Sequence, residues 1–262
     1  MFILGKGTVI TMNPDSPLIK EGGVVIDGGQ IAAVDDYRSL TRKFPEADRK
    51  VINGNIIMPG LINTHTHFYS TFARGIDLKT EEPPADFIDI LEKLWWRLDQ
   101  ALTAEDIYYS ASFAVLESIK SGTTTVFDHH ASYGNIGGSL EIIEKVVRKS
   151  GLRANLSYEI SDRHGSDKSL DALKENQKFI ERISENDPQL SCSLGLHASF
   201  TLAPETLNKI AAINKELGVP LHIHTAEGWA DVKDSRERGY KGVVERLNDY
   251  NLWVPGSLAV HG

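Results

Sequence analysis

Short apolar, β-branched runs recur at near-regular intervals from Pro59 onward: Leu61-Ile62-Asn63-Thr64, then residues 123–127, 152–158, 190–196, 219–223 and 257–260. Each run is continuous rather than alternating, so each strand is read as buried on both faces, as in a parallel sheet covered by helices. Helical patterns fill the intervals. Phe87, Ile88, Leu91, Leu94, Trp95 and Leu98 share one face at i, i+3, i+4 spacing. Thr103 with Asp106 forms a capping-box pattern opening a helix to Lys120, and Gly122 stops it. Ser139 opens another helix ending near Gly151; Pro204 starts a third that Gly218 closes. Six strands in strand–helix alternation predict a TIM-type (β/α) barrel, with a six-stranded doubly wound sheet as the alternative. A complete eight-fold barrel takes about 250 residues, whereas residues 59–262 supply 204. The barrel is therefore expected to be incomplete, at about six of eight units.

Residues 1–58 have a different texture. Val24-Val25-Ile26 and Ile31-Ala32-Ala33-Val34 flank Asp27-Gly28-Gly29-Gln30, which favours positive φ in a hairpin. Val51-Ile52 and Ile56-Ile57-Met58 flank Asn53-Gly54-Asn55, a second turn of similar chemistry. This segment is read as the N-terminal part of a small β-sandwich, with Pro59-Gly60 as the boundary before the barrel.

Composition narrows the partners. The formal charge is −8, from 28 Lys+Arg against 36 Asp+Glu, and no basic cluster stands out, which argues against nucleic acid. No apolar run approaches the ~18 residues needed to cross a bilayer, and the amino terminus turns polar too soon for a secretory signal. A single cysteine, Cys192, excludes an internal disulfide framework and fits a reducing, cytoplasmic compartment.

Of the nine histidines, several sit where strands end. His65-Thr66-His67 closes the first barrel strand, and residues i and i+2 of a strand point to one face, so both imidazoles can converge on one ion. His222-Ile223-His224 ends the fifth strand, with Glu227 three residues on, where a base could take a proton from an activated water. His261 ends the sixth. Each signal alone is weak. Three strand ends finishing in histidine fit a barrel whose carboxyl-terminal rim builds the active site.

The run Pro59-Gly60-Leu61-Ile62-Asn63-Thr64-His65-Thr66-His67 resembles the strand-one signature of the amidohydrolase superfamily, and the chain resembles its deaminase and chlorohydrolase branch from end to end. Residues Leu94-Trp95-Trp96-Arg97-Leu98-Asp99 and Asp128-His129-His130-Ala131-Ser132 are similar to a narrower aminohydrolase subgroup. The resemblance implies that His65, His67 and His224 hold a metal, that Glu227 shuttles protons, that His261 contacts water or substrate, and that His197 hydrogen-bonds substrate. His222 is read as buried one layer deeper. Asp128 is read as structural, or as a partner of His129 or His130. Binuclear relatives use a lysine on strand four, and residues 190–198 contain none, so a single divalent ion is expected, zinc ahead of iron. The resemblance also implies an aspartate after strand eight, beyond these residues; the chain is expected to be part of a longer enzyme and inactive by itself.

The implied activity is hydrolysis of a non-peptide carbon–nitrogen bond, deaminating an aminated heterocycle or cyclic amidine. His261 and His197 are expected to steady the charge that develops. The alternatives are amide, ureide or carbon–halogen hydrolysis, or a catalytically dead scaffold. Trp95 could stack on a heterocycle, though core packing also accounts for it; Arg74 could meet an anionic group or stay solvated, and Glu81-Glu82 reads as wet loop. The partner is a small molecule, with no membrane, and relatives imply a homodimer.

Overall fold

The computed structural model describes residues 1–80 and 82–262, so Glu81 of the Glu81-Glu82 pair lies outside the described residues. These residues divide into two compact units, Met1–Leu61 and Ile62–Gly262.

In the first unit, β1 (Phe2–Ile10), β2 (Leu18–Asp27) and β3 (Gln30–Asp36) form an antiparallel meander. The β2–β3 hairpin turns on Gly28 and Gly29 at φ 56° and 81°, a backbone that the missing Cβ permits. Helix α1 (Tyr37–Lys43) follows, capped by Asp36, whose side chain accepts from the Ser39 N–H at 3.0 Å. This helix interrupts what the sequence presents as strands only. Leu40 on α1 packs with Ile3, Val25 and Ala47 in a small core. The second turn is a correction. Gly54 does take positive φ, yet β4 (Asp48–Val51) and β5 (Ile56–Ile57) do not pair with each other; both run parallel to β1, at its two ends.

In the second unit the strands run parallel in chain order. They are β6 (Leu61–Thr66), β7 (Thr123–His130), β8 (Arg153–Tyr158), β9 (Leu190–Cys192), β10 (Leu194–Ala198), β11 (Leu221–Thr225) and β12 (Leu258–His261). One sheet is β6-β7-β8-β9, the other β10-β11-β12, and a parallel bridge between Ile160 and Leu196 links them. The fourth barrel strand is thus split at Ser193, whose hydroxyl donates to Asn155 Oδ1 at 2.7 Å. Every residue of β10 and β11 is buried, as continuous apolar runs require.

The intervening helices begin and end where local chemistry dictates. After α2 (Phe87–Ile90) and a π turn (Leu91–Trp95) comes α3 (Trp96–Ala101). Helix α4 (Ala104–Lys120) carries the full Thr103/Asp106 capping box. Helix α5 (Ser139–Ser150) ends at Gly151 (φ 76°), followed by α6 (Ser166–Arg182), α7 (Pro204–Leu217, closed by Gly218 at φ 65°), α8 (Trp229–Glu237) and α9 (Val243–Asp249). Among the described residues no helix is long and apolar enough to cross a membrane.

The seam between β8 and β10 positions His197. Asn176 of α6, buried, accepts from the Tyr158 and Gly195 N–H groups and donates to the Tyr158 carbonyl. A methyl at Gly195 would press on the Tyr158 carbonyl oxygen and lie 2.8 Å from its carbon. Gly195→Ala is therefore expected to destabilise the protein by about 1–3 kcal/mol through overpacking. Denaturant unfolding checks this, and a midpoint unchanged from wild type would refute the close approach.

Candidate metal centre and active site

The histidines converge because parallel strands deliver their carboxyl ends to one rim. His65 and His67 come from the end of β6, His129 from β7, His224 from β11, and one ring nitrogen of each lies within 4.8 Å of the others. Their hydrogen bonds decide the tautomers. His67 Nδ1 donates to the His129 carbonyl at 2.6 Å, and His224 Nδ1 donates to the His197 carbonyl at 2.8 Å. A carbonyl can only accept, so both rings spend their proton at Nδ1. Their Nε2 atoms, 3.1 Å apart, then present two bare lone pairs to each other. Such a contact is repulsive unless a cation shares both, and tetrahedral zinc with 2.0–2.1 Å bonds holds its nitrogens roughly 3.3 Å apart. The donor set fits a divalent metal. Burial reinforces it by keeping the rings neutral: His65 is pushed down to about 2 and His67 to about 4, and His129 and His224 lie well below the ordinary range.

His222 lies one layer deeper, fully buried, with Nε2 2.8 Å from His65 Nδ1, so it orients that ring. Asp128 bonds neither His129 nor His130. It accepts from the Phe68 N–H at 2.7 Å and pins the turn just after His67; burial pushes its carboxyl up to about 8. Of the two readings for Asp128, the structure shows the structural one.

A second group shares His224 and adds Glu227 and His261. His261 Nε2 lies 3.5 Å from Glu227 Oε1, and the His261 ring stacks on His224 at 5.6 Å between centres. Glu227 is aimed by its loop. Ala226 takes left-handed backbone at φ 54°, and its N–H bonds Asp231 Oδ2 at 2.9 Å. The other Asp231 oxygen accepts from the Phe200 N–H at 3.0 Å. One buried carboxylate on α8 therefore ties the loop after β11 to the turn after β10.

Behind the imidazoles runs a buried chain of charge. Glu159, directly after β8, has Oε1 3.5 Å from His67 Nδ1, while its Oε2 meets Arg163 at 3.3 Å. Arg163 in turn grips Asp99 at 2.6 Å. Burial pushes Glu159 up to about 7 against the pull of Arg163.

A cavity of about 370 Å³ opens over these groups, with Phe87, Trp95, Trp96, His197, Glu227 and His261 among its walls. Trp95 reaches it, as does His197, whose Nδ1 is 3.0 Å from Thr201 Oγ1. That hydroxyl already donates to the Ala198 carbonyl, so His197 Nδ1–H is the donor and Nε2 remains an acceptor. Arg74 is exposed and is not among the cavity's lining residues. It closes the turn Phe68–Ala73. Nothing in the sequence pattern singles out Glu159 or Arg163, and His129 stands out there only as a neighbour of Asp128.

A model of the amidohydrolase family matches residues 56–255. The chain belongs to the amidohydrolase family. Within residues 22–47 this amidohydrolase also matches a bacterial imidazolonepropionase-like composite domain. It is 34% identical over 264 residues to a 5'-deoxyadenosine deaminase of Methanosarcina mazei, covering 99% of this chain and 56% of the relative. It is 28% identical over 258 residues to a 5-methylthioadenosine/S-adenosylhomocysteine deaminase of Bacillus cytotoxicus, covering 98% and 57%. The chain thus spans little more than half the length of these relatives. Among solved structures it is similar to guanine deaminase from C. acetobutylicum with bound guanine (TM-score 0.80, 17% identity, 96% of this chain and 59% of that one). It is also similar to a zinc-bound adenosine deaminase from Xanthomonas campestris (TM-score 0.79, 22% identity, 96% and 55%). These likenesses show the fold of the amidohydrolase: α/β, of the TIM-barrel type, its parallel strands in barrel order.

Proposed function

We propose that this amidohydrolase uses one divalent ion, zinc ahead of iron, to hydrolyse the exocyclic carbon–nitrogen bond of an aminated heterocycle and release ammonia. The observation that carries the reading is the pair of bare Nε2 lone pairs on His67 and His224, 3.1 Å apart, beside the Glu227–His261 pair in one cavity. His65, His67 and His224 hold the ion. When bound, it supplies an acidified water at neutral pH, lowering the water's pKa from ~15.7 to about 7.

The chain's own residues do the rest. The Glu227 carboxylate accepts the water's proton and returns it to the departing nitrogen, so that ammonia leaves instead of an amide anion. His261, 3.5 Å from that carboxylate, holds it toward the cavity. His197 Nε2 accepts from an N–H on the substrate. Trp95, Trp96 and Phe87 give a planar ring apolar walls. An aminated purine suits this pocket, and the deaminases named above act on such rings by their names. Residues 1–58 we read as the N-terminal part of a small β-sandwich domain and 59–262 as barrel.

The test is an ammonia-release assay on the full-length, metal-loaded protein with adenine, guanine and their nucleosides. Ammonia that appears with at least one of them and disappears after chelator treatment is expected. Release of halide or carboxylate from triazines, amides or ureides, with no ammonia from any aminopurine, would overturn the assignment.

A further inference from the structure

In the proposed function three imidazoles hold the ion, yet a fourth stands among them. His129 is fully buried on β7, and among the described residues neither of its ring nitrogens has a hydrogen-bond partner. Every neighbouring ring differs in this respect. His67 and His224 spend Nδ1 on carbonyls, and His65 and His222 bond each other at 2.8 Å. Two groups near it are engaged elsewhere. Ser157 Oγ reaches the Asp128 carbonyl at 3.2 Å and His222 Nδ1 at 3.4 Å. Glu159 Oε1 lies 3.8 Å from His129 Nδ1, beyond hydrogen-bond reach, and the same carboxylate faces Arg163.

A buried imidazole with both nitrogens idle is costly, and native interiors rarely keep such a group without a use. Its position supplies one. The His129 ring centre is 4.8 Å from His224, 5.7 Å from His67 and 5.9 Å from His65, and it stacks on His222 at 4.5 Å with planes 13° apart. That stack, against a second fully buried ring, keeps the ring from turning away. One His129 nitrogen already falls within 4.8 Å of a ligand atom on each of His65, His67 and His224. The geometry points to His129 as a fourth imidazole ligand of the same divalent ion. This rests on the metal-hydrolase reading above and extends it. Neutral nitrogen donors on four side chains favour zinc, cobalt, nickel or copper over magnesium or calcium, which prefer oxygen.

The experiment is X-ray absorption at the zinc edge of the full-length protein, stripped with chelator and reloaded with Zn²⁺, beside zinc affinity from chelator competition. Wild type is expected to show at least four imidazoles, and His129→Ala one fewer, with affinity lower by about 100-fold or more, beyond the 10–100-fold typical of groups that only support a ligand. Co²⁺-loaded samples should show a changed visible d–d spectrum in the variant. His130→Ala is the control. It removes an equally buried ring, the next residue on β7, which bonds Ser132 rather than the cluster, and leaves the imidazole count at the wild-type value. His129→Gln, which keeps more of the side-chain volume, stands in if the alanine variant does not fold. A wild-type count below four, or equal counts in wild type and variant, overturns the inference. The metal-hydrolase reading survives that result if the protein still binds zinc and releases ammonia; both fall if wild type binds no divalent ion.

Discussion

Glu227→Gln lowers ammonia release by at least 10²–10⁴-fold, the usual range for general acid–base catalysis, while zinc content stays at the wild-type level. The two halves of this expectation come from different parts of the site. Glu227 is outside the cluster of four imidazoles, so removing its charge leaves those ligands intact. Its side chain is one-third exposed, so the isosteric amide brings no buried unpaired charge. What the amide loses is proton affinity: it can neither take a proton from water nor hand one to a leaving nitrogen. Steady-state ammonia assays with metal analysis on the same preparation check both halves. A variant with wild-type turnover would remove Glu227 from the mechanism, and one that loses zinc would make it a ligand instead.

Arg163→Met is expected to have the largest effect on stability. Its guanidinium sits between Asp99 and Glu159, and all three side chains are at most 2% exposed. Taking the cation away leaves two carboxylates in the interior with no counter-charge, and breaking a buried pair in this way costs about 3–5 kcal/mol. Arg163 also covers the Tyr133 ring at 4.5 Å, a contact methionine keeps only in part. Neutralising the partners as well, in Asp99→Asn/Glu159→Gln/Arg163→Met, should recover most of the loss, because replacing a whole buried ion cluster is often close to neutral. Denaturant unfolding of the single and triple variants measures both. A single variant within about 0.5 kcal/mol of wild type, the usual range for surface substitutions, would show that the cluster carries little.

Much of this was legible in residue order. Continuous apolar runs and explicit helix caps, such as Thr103 with Asp106, identify parallel strands and place most helix ends. His-x-His at a strand end needs only the period of two to bring His65 and His67 to one face. His129 was harder. Asp128-His129-His130 is polar throughout, so nothing local tells which residue faces the barrel interior. That is settled by register, with His129 opposite Ser157, while Asp128 turns to the Phe68 N–H and His130 to Ser132. Glu159 and Arg163 belong to a loop whose burial comes from distant partners. The parallel placement of β4 and β5 on β1 is likewise a non-local choice that turn chemistry at Gly54 does not reveal.

Ala226 and His261 hold left-handed backbone, at φ 54° and 73°, on either flank of the Glu227 carboxylate. Outside glycine this conformation costs on the order of 1–3 kcal/mol per residue, and the Asp231 carboxylate keeps Ala226 there. The rim is therefore spring-loaded. Directed evolution for heat tolerance would find an easy gain in Ala226→Gly, which lifts that cost while the Asp231 bond still aims the proton carrier.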